Sequence, residues 1–136
     1  MDFPTVPAGF PSPADDFADV KLDLNEYLIT HPAATFFVRV SGDSMIGAGI
    51  FDQDILIVDR SLEPRNRSVI IAVLDGEVLV KRLVMKRVMY DAKRLLIRGN
   101  IILLSENEKY PPIIVTKETD FTVWGVVTYV IHSCNV

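Results

Sequence analysis

The chain has few of the residues that build metal and disulfide sites. It contains one cysteine, Cys134, and two histidines in 136 residues. It shows no zinc-ligand spacing, P-loop or dinucleotide-binding fingerprint. A single cysteine excludes an internal disulfide and favours a reducing, cytoplasmic setting. We therefore expect no metal ion or organic cofactor, and ordinary side chains must supply any chemistry.

Long apolar runs are also missing. No stretch approaches the roughly 18 to 20 apolar residues that a helix needs to cross a bilayer. The first residues, 1–4, contain neither a basic segment nor an apolar one. We therefore expect no secretory signal and no membrane partner.

Excess positive charge, the usual mark of a nucleic-acid-binding chain, is absent as well. The net charge is −4, which argues against binding of nucleic acid through the overall electrostatic field of the protein. One basic cluster is present, and we interpret its members as solvated strand edges and turn residues: Lys81, Arg82, Lys86, Arg87, Lys93, Arg94 and Arg98. No direct sequence-specific DNA binding is expected from it.

The residues that are present predict one globular domain preceded by an arm. Hydrophobic residues make up 49% of the chain, enough for one core. Prolines 4, 7, 11 and 13 exclude a helix or a central strand at the start. We expect an extended arm over residues 1–20 and a β domain over residues 21–136. A short helix is predicted after Asp23 as N-cap, with Glu26 completing a capping box and Leu22 packing on Tyr27.

The rest of the chain is patterned as short strands. We predict strands over residues 35–40, 55–59, 68–74, 77–85, 94–98, 113–116 and 121–131. Asp75-Gly76, between two apolar runs, is typical of a two-residue hairpin turn. The fold class is therefore mostly β, a compact antiparallel domain with one short helix.

Ser44 and Lys81 are the strongest candidates for chemistry. Ser44 lies in a polar turn directly after an apolar strand, and Lys81 lies within an apolar strand between Leu79 and Leu83 on the same face. Burial favours the neutral form of a lysine, and a neutral amine can take the proton of a serine hydroxyl. Each residue alone has an ordinary explanation, a turn serine and a lysine at a strand edge. Together they predict a Ser-Lys catalytic dyad.

Other catalytic arrangements are weaker. His31 and His132 are both interpreted as surface residues, and Cys134 has no activating neighbour. Asp52 and Asp54 resemble a paired-carboxylate site, but a turn leading into the next strand explains them better.

An ordered set of motifs resembles the self-cleaving Ser-Lys domain shared by LexA-type repressors and UmuD-type proteins. The motifs are Ser41-Gly42-Asp43-Ser44-Met45, Gly49-Ile50, the 54–59 segment, Gly76-Glu77, Val80-Lys81, Tyr110-Pro111-Pro112-Ile113 and Trp124-Gly125-Val126-Val127. The resemblance runs over residues 9–130 and is strongest to the UmuD type, through the segments 9–14, 23–25 and 31–35. It implies the β fold of the LexA/UmuD C-terminal domain.

The resemblance also implies a function and its residues. Ser44 matches the family nucleophile and Lys81 the general base, while the scissile bond corresponds to Ala8-Gly9. The backbone N–H groups of Asp43 and Ser44 are candidate oxyanion donors. A protein of this type is a homodimer in the SOS response that cleaves its own arm when stimulated by a RecA filament on single-stranded DNA. The clipped form then serves a UmuC-type, Y-family polymerase in error-prone lesion bypass.

Two features depart from the UmuD pattern. UmuD has Cys-Gly at the cleaved bond, whereas this chain has the Ala-Gly of the LexA-type repressors, and only eight residues precede the cut. Two alternative functions also stay open. One is a non-cleaving, repressor-like dimerisation module, and the other is a processing enzyme similar to signal peptidases, which the missing membrane anchor disfavours.

Overall fold

The computed structural model describes residue 3 and residues 5–9, 23–90 and 96–135. The chain forms two compact units, Met1–Thr30 and His31–Val136. The arm boundary that we predicted after residue 20 lies outside the described residues, as does Leu22. None of the helices in the described ranges is long and apolar enough to span a membrane.

The described part of the first unit contains one short helix, α1, Leu24–Leu28. Asp23 is its N-cap, as predicted, and its carboxylate accepts the backbone N–H of Asn25 at 3.0 Å. The ring of Tyr27 meets the ring of Phe3 edge to face, with centroids 5.2 Å apart. The helix ends before Pro32, which begins a 3-10 turn over Pro32–Ala34 in the second unit.

The second unit is one antiparallel sheet of seven strands, so the mostly β prediction is confirmed. The strands are β1 Thr35–Arg39, β2 Ile55–Asp59, β3 Val69–Leu74, β4 Glu77–Tyr90, β5 Leu96–Leu104, β6 Ile113–Val115 and β7 Phe121–Ile131. Their order across the sheet is β1-β2-β7-β3-β4-β5-β6. A second 3-10 turn, Ile46–Ala48, lies between β1 and β2.

The β3–β4 hairpin has the predicted turn. Leu74 pairs with Glu77, which leaves Asp75 and Gly76 as the two loop residues. Both have positive φ, 47° and 82°, as a type I′ turn requires. This turn sets the register that places Lys81 opposite Ile70.

The core consists of two clusters whose β3 members alternate along the strand. Ile71 belongs to one cluster and its neighbour Ile70 to the other, because successive strand residues face opposite sides. The first cluster contains Val40, Met45, Ile50, Leu56, Val58 and Ile71. The second contains Ile70, Ala72, Leu83 and Leu103. Met45 thus ties the turn after β1 to the core.

Two strand predictions were wrong in extent. β5 was expected over residues 94–98 but spans Leu96–Leu104, and β4 continues to Tyr90 rather than ending at residue 85. The two strands pair with each other, from Arg82 opposite Leu104 to Tyr90 opposite Leu96. Hydrogen bonds between distant segments extend both strands beyond what local composition indicates.

Candidate active site

Ser44 lies on a turn that the core and the next loop hold in place. Gly42, at φ 101°, makes the sharp bend after β1, and its N–H donates to the carboxylate of Asp52 at 2.8 Å. Met45, directly after the serine, is only 2% exposed. The Ser44 hydroxyl itself has no hydrogen-bond partner among the described residues. The turn is therefore anchored while the hydroxyl stays available.

Lys81 is buried within the sheet. It is 6% exposed and lies on β4, opposite the fully buried Ile70 of β3. The burial predicted from its apolar neighbours is confirmed, and the interpretation of Lys81 as a member of the solvated basic cluster is wrong. Burial lowers the pKa of its amine from the ordinary 10.5, because an ammonium loses its hydration there. A larger fraction of Lys81 is therefore neutral than of a lysine in water.

Ser44 and Lys81 line the same pocket. The pocket has a volume of about 250 Å³ and lies between the end of β1 and the first half of β4. Its other lining residues are mostly apolar: Val38, Arg39, Val40, Ser41, Met45, Ile71, Val78, Leu79 and Val80. A serine hydroxyl and a lysine amine in a mostly apolar cleft are suited to nucleophilic attack on a peptide bond.

The amine of Lys81 donates its hydrogen bond to another serine. The distance from Nζ to the Ser105 Oγ is 2.6 Å, and Nζ lies 5.4 Å from the centre of the Tyr110 ring. Ser105 follows β5 directly, next to the Leu104–Arg82 pair. No pattern in the sequence indicated this contact, since Ser105 was assigned only to a loop.

The loop of residues 105–110 is fastened to the Ser44 turn by four hydrogen bonds. They are Glu106 N–H to Ser44 O at 2.8 Å, Gly47 N–H to Glu106 O at 2.8 Å, Asn107 Nδ2 to Asp43 O at 2.9 Å and Tyr110 OH to Asp43 Oδ1 at 2.6 Å. Because Ser105 holds the lysine and Glu106 holds the serine turn, two adjacent residues connect both members of the predicted dyad.

The acidic groups beside the pocket already have cationic or phenolic partners. The carboxylate of Glu106 accepts Arg82 Nε at 2.5 Å. The hydrogen bond from Tyr110 lowers the pKa of Asp43 against the opposing effect of burial, and Lys109, 3.6 Å away, lowers it further. The same hydrogen bond raises the pKa of Tyr110. Burial is the cause that lowers the pKa of Lys81.

The proposed oxyanion donors differ in availability. The Ser44 N–H makes no hydrogen bond within the described part of the chain, so it is available to an incoming oxygen. The Asp43 N–H interacts with its own carboxylate. Ser44 is therefore the better placed of the two, and the role of both stays a prediction.

Ala8 and Gly9, the predicted cleavage site, belong to the first unit and are both exposed. A Cβ atom placed on Gly9 would meet no heavy atom within 4 Å. A larger side chain at this position would not disturb packing, which makes the position suitable for substitution.

The residues that we considered weaker candidates lie outside the pocket. His31 is hydrogen-bonded to Asp59 and His132 to Asp54, each through Nδ1 at 2.6 Å. Each imidazole is about half exposed, whereas its carboxylate partner is buried. Our interpretation of the histidines as surface residues did not predict these two contacts, which we call the histidine clamps. His31 and Asp59 are 28 positions apart in the sequence, and His132 and Asp54 are 78 apart. Cys134 is exposed and free.

Hydrogen bonds keep both buried carboxylates ionised. Burial would raise the pKa of Asp54, but the bonds from the Phe51 N–H and from His132 outweigh it, and the pKa lies below 3.8. Burial opposes ionisation of Asp59 in the same way, but the hydrogen bonds from Ser61 and His31 outweigh burial, and the pKa of Asp59 is lowered. Asp54 is thus a structural residue rather than half of a carboxylate pair.

Comparisons with known proteins agree with this geometry. The Peptidase S24-like family model matches residues 3–128. The chain is 42% identical to Protein ImpA of Salmonella typhimurium over 92% of this chain and 77% of that protein. It is 43% identical to Protein SamA of Salmonella typhimurium strain LT2, over 93% of this chain and 80% of SamA.

A more distant match connects the chain to repressors. It is 34% identical to the LexA repressor of Pectobacterium carotovorum over 96% of this chain, which covers 59% of that repressor. The resemblance to the LexA/UmuD group is thereby confirmed. On the family match and these identities, the chain belongs to the Peptidase S24-like family.

Proposed function

We propose that the chain is a Ser-Lys peptidase that cleaves its own N-terminal arm at Ala8-Gly9. The observation that carries the proposal is that the buried Lys81 amine shares a pocket with the Ser44 hydroxyl, which has no hydrogen-bond partner within the described ranges. Membership of a peptidase family and the exposed Ala-Gly bond support it. In this cut the same protein supplies both catalyst and substrate.

The reaction follows from the two side chains. Neutral Lys81 takes the proton of the Ser44 hydroxyl as its oxygen attacks the carbonyl carbon of Ala8. The backbone N–H of Ser44 stabilises the negative charge on the carbonyl oxygen. The Lys81 ammonium then protonates the nitrogen of Gly9, the Ala8–Gly9 bond breaks, and an acyl-Ser44 intermediate remains. Water, deprotonated by Lys81, hydrolyses this ester and regenerates the serine.

Substitution of the dyad tests the proposal. Ser44→Ala should abolish self-cleavage and leave the fold intact, because it removes only a hydroxyl from a turn that its neighbours hold. Lys81→Arg should also abolish cleavage, because a guanidinium stays charged at any accessible pH. Purified protein is incubated between pH 6 and pH 10, and intact mass and N-terminal sequencing report a new terminus at Gly9. Ser133→Ala, an exposed serine near the end of the chain, is the matched control.

The rate should rise with pH because only the neutral amine accepts a proton. The rise should level off near the pKa of Lys81 in the folded protein, which burial places below 10.5. A rate independent of pH, or cleavage by the Lys81→Arg protein, would exclude Lys81 as the base. A wild-type chain that stays uncut at every pH would instead favour the non-cleaving dimerisation module.

The cut position has its own test. Gly9→Trp should block cleavage, because the bond must fit a narrow pocket, while the open surroundings of Gly9 tolerate the ring. Cleavage at an unchanged rate in this variant would move the scissile bond elsewhere.

We further propose that the reaction belongs to the SOS response. A RecA filament on single-stranded DNA stimulates the cut, and the clipped homodimer serves as accessory subunit of a UmuC-type, Y-family polymerase. The support is the similarity to UmuD-type relatives over most of the chain. Addition of RecA filaments should raise the rate at pH 7, and the clipped chain, but not the Ser44→Ala chain, should bind the polymerase. Equal polymerase binding by both chains would contradict the proposal that cleavage controls this binding.

A further inference from the structure

The Lys81 amine is held by a residue that the proposed mechanism does not use. Its Nζ is 2.6 Å from the Ser105 Oγ, and Ser105 is placed by the strand pair that also carries Lys81. A lysine side chain has four rotatable bonds, so burial alone does not fix where its nitrogen points. The contact to Ser105 restrains the position of that nitrogen.

The chemistry of this partner suits a base. A buried amine needs a hydrogen-bond partner, and a carboxylate in that place would favour the ammonium and oppose proton uptake. A hydroxyl satisfies the amine without adding charge. It can also accept an N–H from a neutral amine and leave the nitrogen lone pair free.

We propose that Ser105 is the positioning residue of the general base. Its hydroxyl oxygen accepts one N–H of the neutral Lys81 amine, so that the lone pair of the nitrogen is directed at the Ser44 hydroxyl. This inference rests on the proposed function and adds to it a residue that acts on Lys81 alone. Glu106, next in the chain, reinforces the geometry because its N–H holds the carbonyl of Ser44 at 2.8 Å.

Among the described residues, the carboxylates near Lys81 bind other groups, and Ser105 is the hydrogen-bond partner of its amine. From the 105–110 loop, the Glu106 carboxylate is bound to Arg82. From the Ser44 turn, the Asp43 carboxylate is bound to Tyr110 and lies near Lys109. Both carboxylates are thus engaged elsewhere, and burial is the cause of the lowered pKa of Lys81.

Substitution of Ser105 should change both the maximum rate of self-cleavage and the pH at which the rate levels off. Ser105→Ala should lower the maximum rate of self-cleavage roughly tenfold or more, since the base is no longer aligned. The inflection of the pH–rate profile should move to lower pH, because a hydroxyl oxygen stabilises the ammonium more than the amine. Ser105→Thr keeps the hydroxyl and should recover the rate, and Ser133→Ala should match the wild type.

A second measurement does not depend on cleavage. In the Ser44→Ala background the chain stays whole, and NMR titration of the Lys81 side chain reports its pKa directly. Adding Ser105→Ala should lower that pKa, and adding Ser105→Asp should raise it, because a carboxylate then faces the amine.

Each outcome either supports or overturns the inference. A lower maximum rate, an inflection at lower pH and recovery by threonine support it. Ser105→Ala with wild-type rate and inflection overturns it, and so does an inflection at higher pH, which would mean that loosened packing lets water reach Lys81.

Failure of the proposed function gives different results. If the wild type is never cut, the dyad proposal fails, and an unchanged Lys81 pKa in the titrations would overturn the Ser105 inference independently. If Ser44→Ala cleaves and Ser105→Ala does not, Ser105 is itself the nucleophile, and both proposals are wrong.

Discussion

The Lys81 amine is kept out of water by the strands around it, and this burial lowers the free energy of unfolding. The folded-state pKa lies below the unfolded value near 10.5, so the unfolded chain binds more protons between those two pKa values. Stability should therefore rise with pH through that window. Below the window the burial of Lys81 is a constant cost, because the amine must lose its proton or its hydration on folding.

Replacement of this lysine by an apolar side chain should stabilise the protein. Lys81→Met should raise the free energy of unfolding at pH 7 by about 1 kcal/mol or more, as replacing buried charges often does. The gain should diminish as the pH approaches 10.5. Lys86→Met, on the same strand but exposed, is the control and should change little. Urea unfolding at both pH values provides the measurement, and a less stable Lys81→Met protein at pH 7 would contradict the cost assigned to burial.

At the scale of elements, the contact between the Ser44 turn and the 105–110 loop depends on Gly47. Its N–H donates to the carbonyl of Glu106 at 2.8 Å. A Cβ at this position would lie 2.7 Å from the same oxygen, which belongs to the backbone and cannot rotate away. The two segments can approach this closely only because residue 47 has no side chain.

Gly47→Ala should therefore separate the two segments. We expect a loss of about 1–3 kcal/mol in the free energy of unfolding, together with slower self-cleavage in the protein that remains folded. Gly125→Ala is the control, since its Cβ would lie 2.5 Å from Val58 in the sheet. Gly125→Ala should lower the free energy of unfolding without slowing self-cleavage in the molecules that remain folded. Equal cleavage rates for the two folded variants would mean that the loop contact does not position the dyad.

Local signals predicted the elements whose causes are local. The Asp75-Gly76 turn, the N-cap at Asp23 and the bounds of β7 depend on short-range pattern, and the structure confirms all three. The lengths of β4 and β5 depend on pairing with each other, which no local window contains. For the same reason the burial of Lys81 could be predicted from its neighbours, but its contact with Ser105, 24 positions away, could not.

At the scale of the whole molecule, one face of the sheet carries an exposed apolar patch at the end where β1, β2 and β7 pair. Phe37, Tyr129 and Ile131 lie on the same face of β1 and β7 and are 58%, 42% and 46% exposed. β1 is also a terminal strand, with β2 as its one partner among the described strands. An exposed apolar face beside a sheet edge is suited to a second copy of the chain, in agreement with the homodimer that we propose.

Charge on that face should weaken the dimer. Phe37→Glu should shift the sedimentation equilibrium towards monomer by tenfold or more in the dissociation constant, corresponding to at least about 1.4 kcal/mol. Ile114→Glu, on β6 at the other edge and 66% exposed, is the matched control and should sediment like the wild type. If both variants, or neither, weaken association, the interface lies elsewhere.

Both histidine clamps lie in the sheet unit, after the proposed cut in the sequence. His31 is fastened to Asp59 where the sheet unit begins, and His132 to Asp54 near the end of the chain. Every residue of both clamps and of all seven strands follows position 30. Hydrolysis at Ala8-Gly9 would therefore leave all seven strands and both clamps in the larger product. Each chain could then record one exposure to its stimulus, irreversibly, and persist as a folded product.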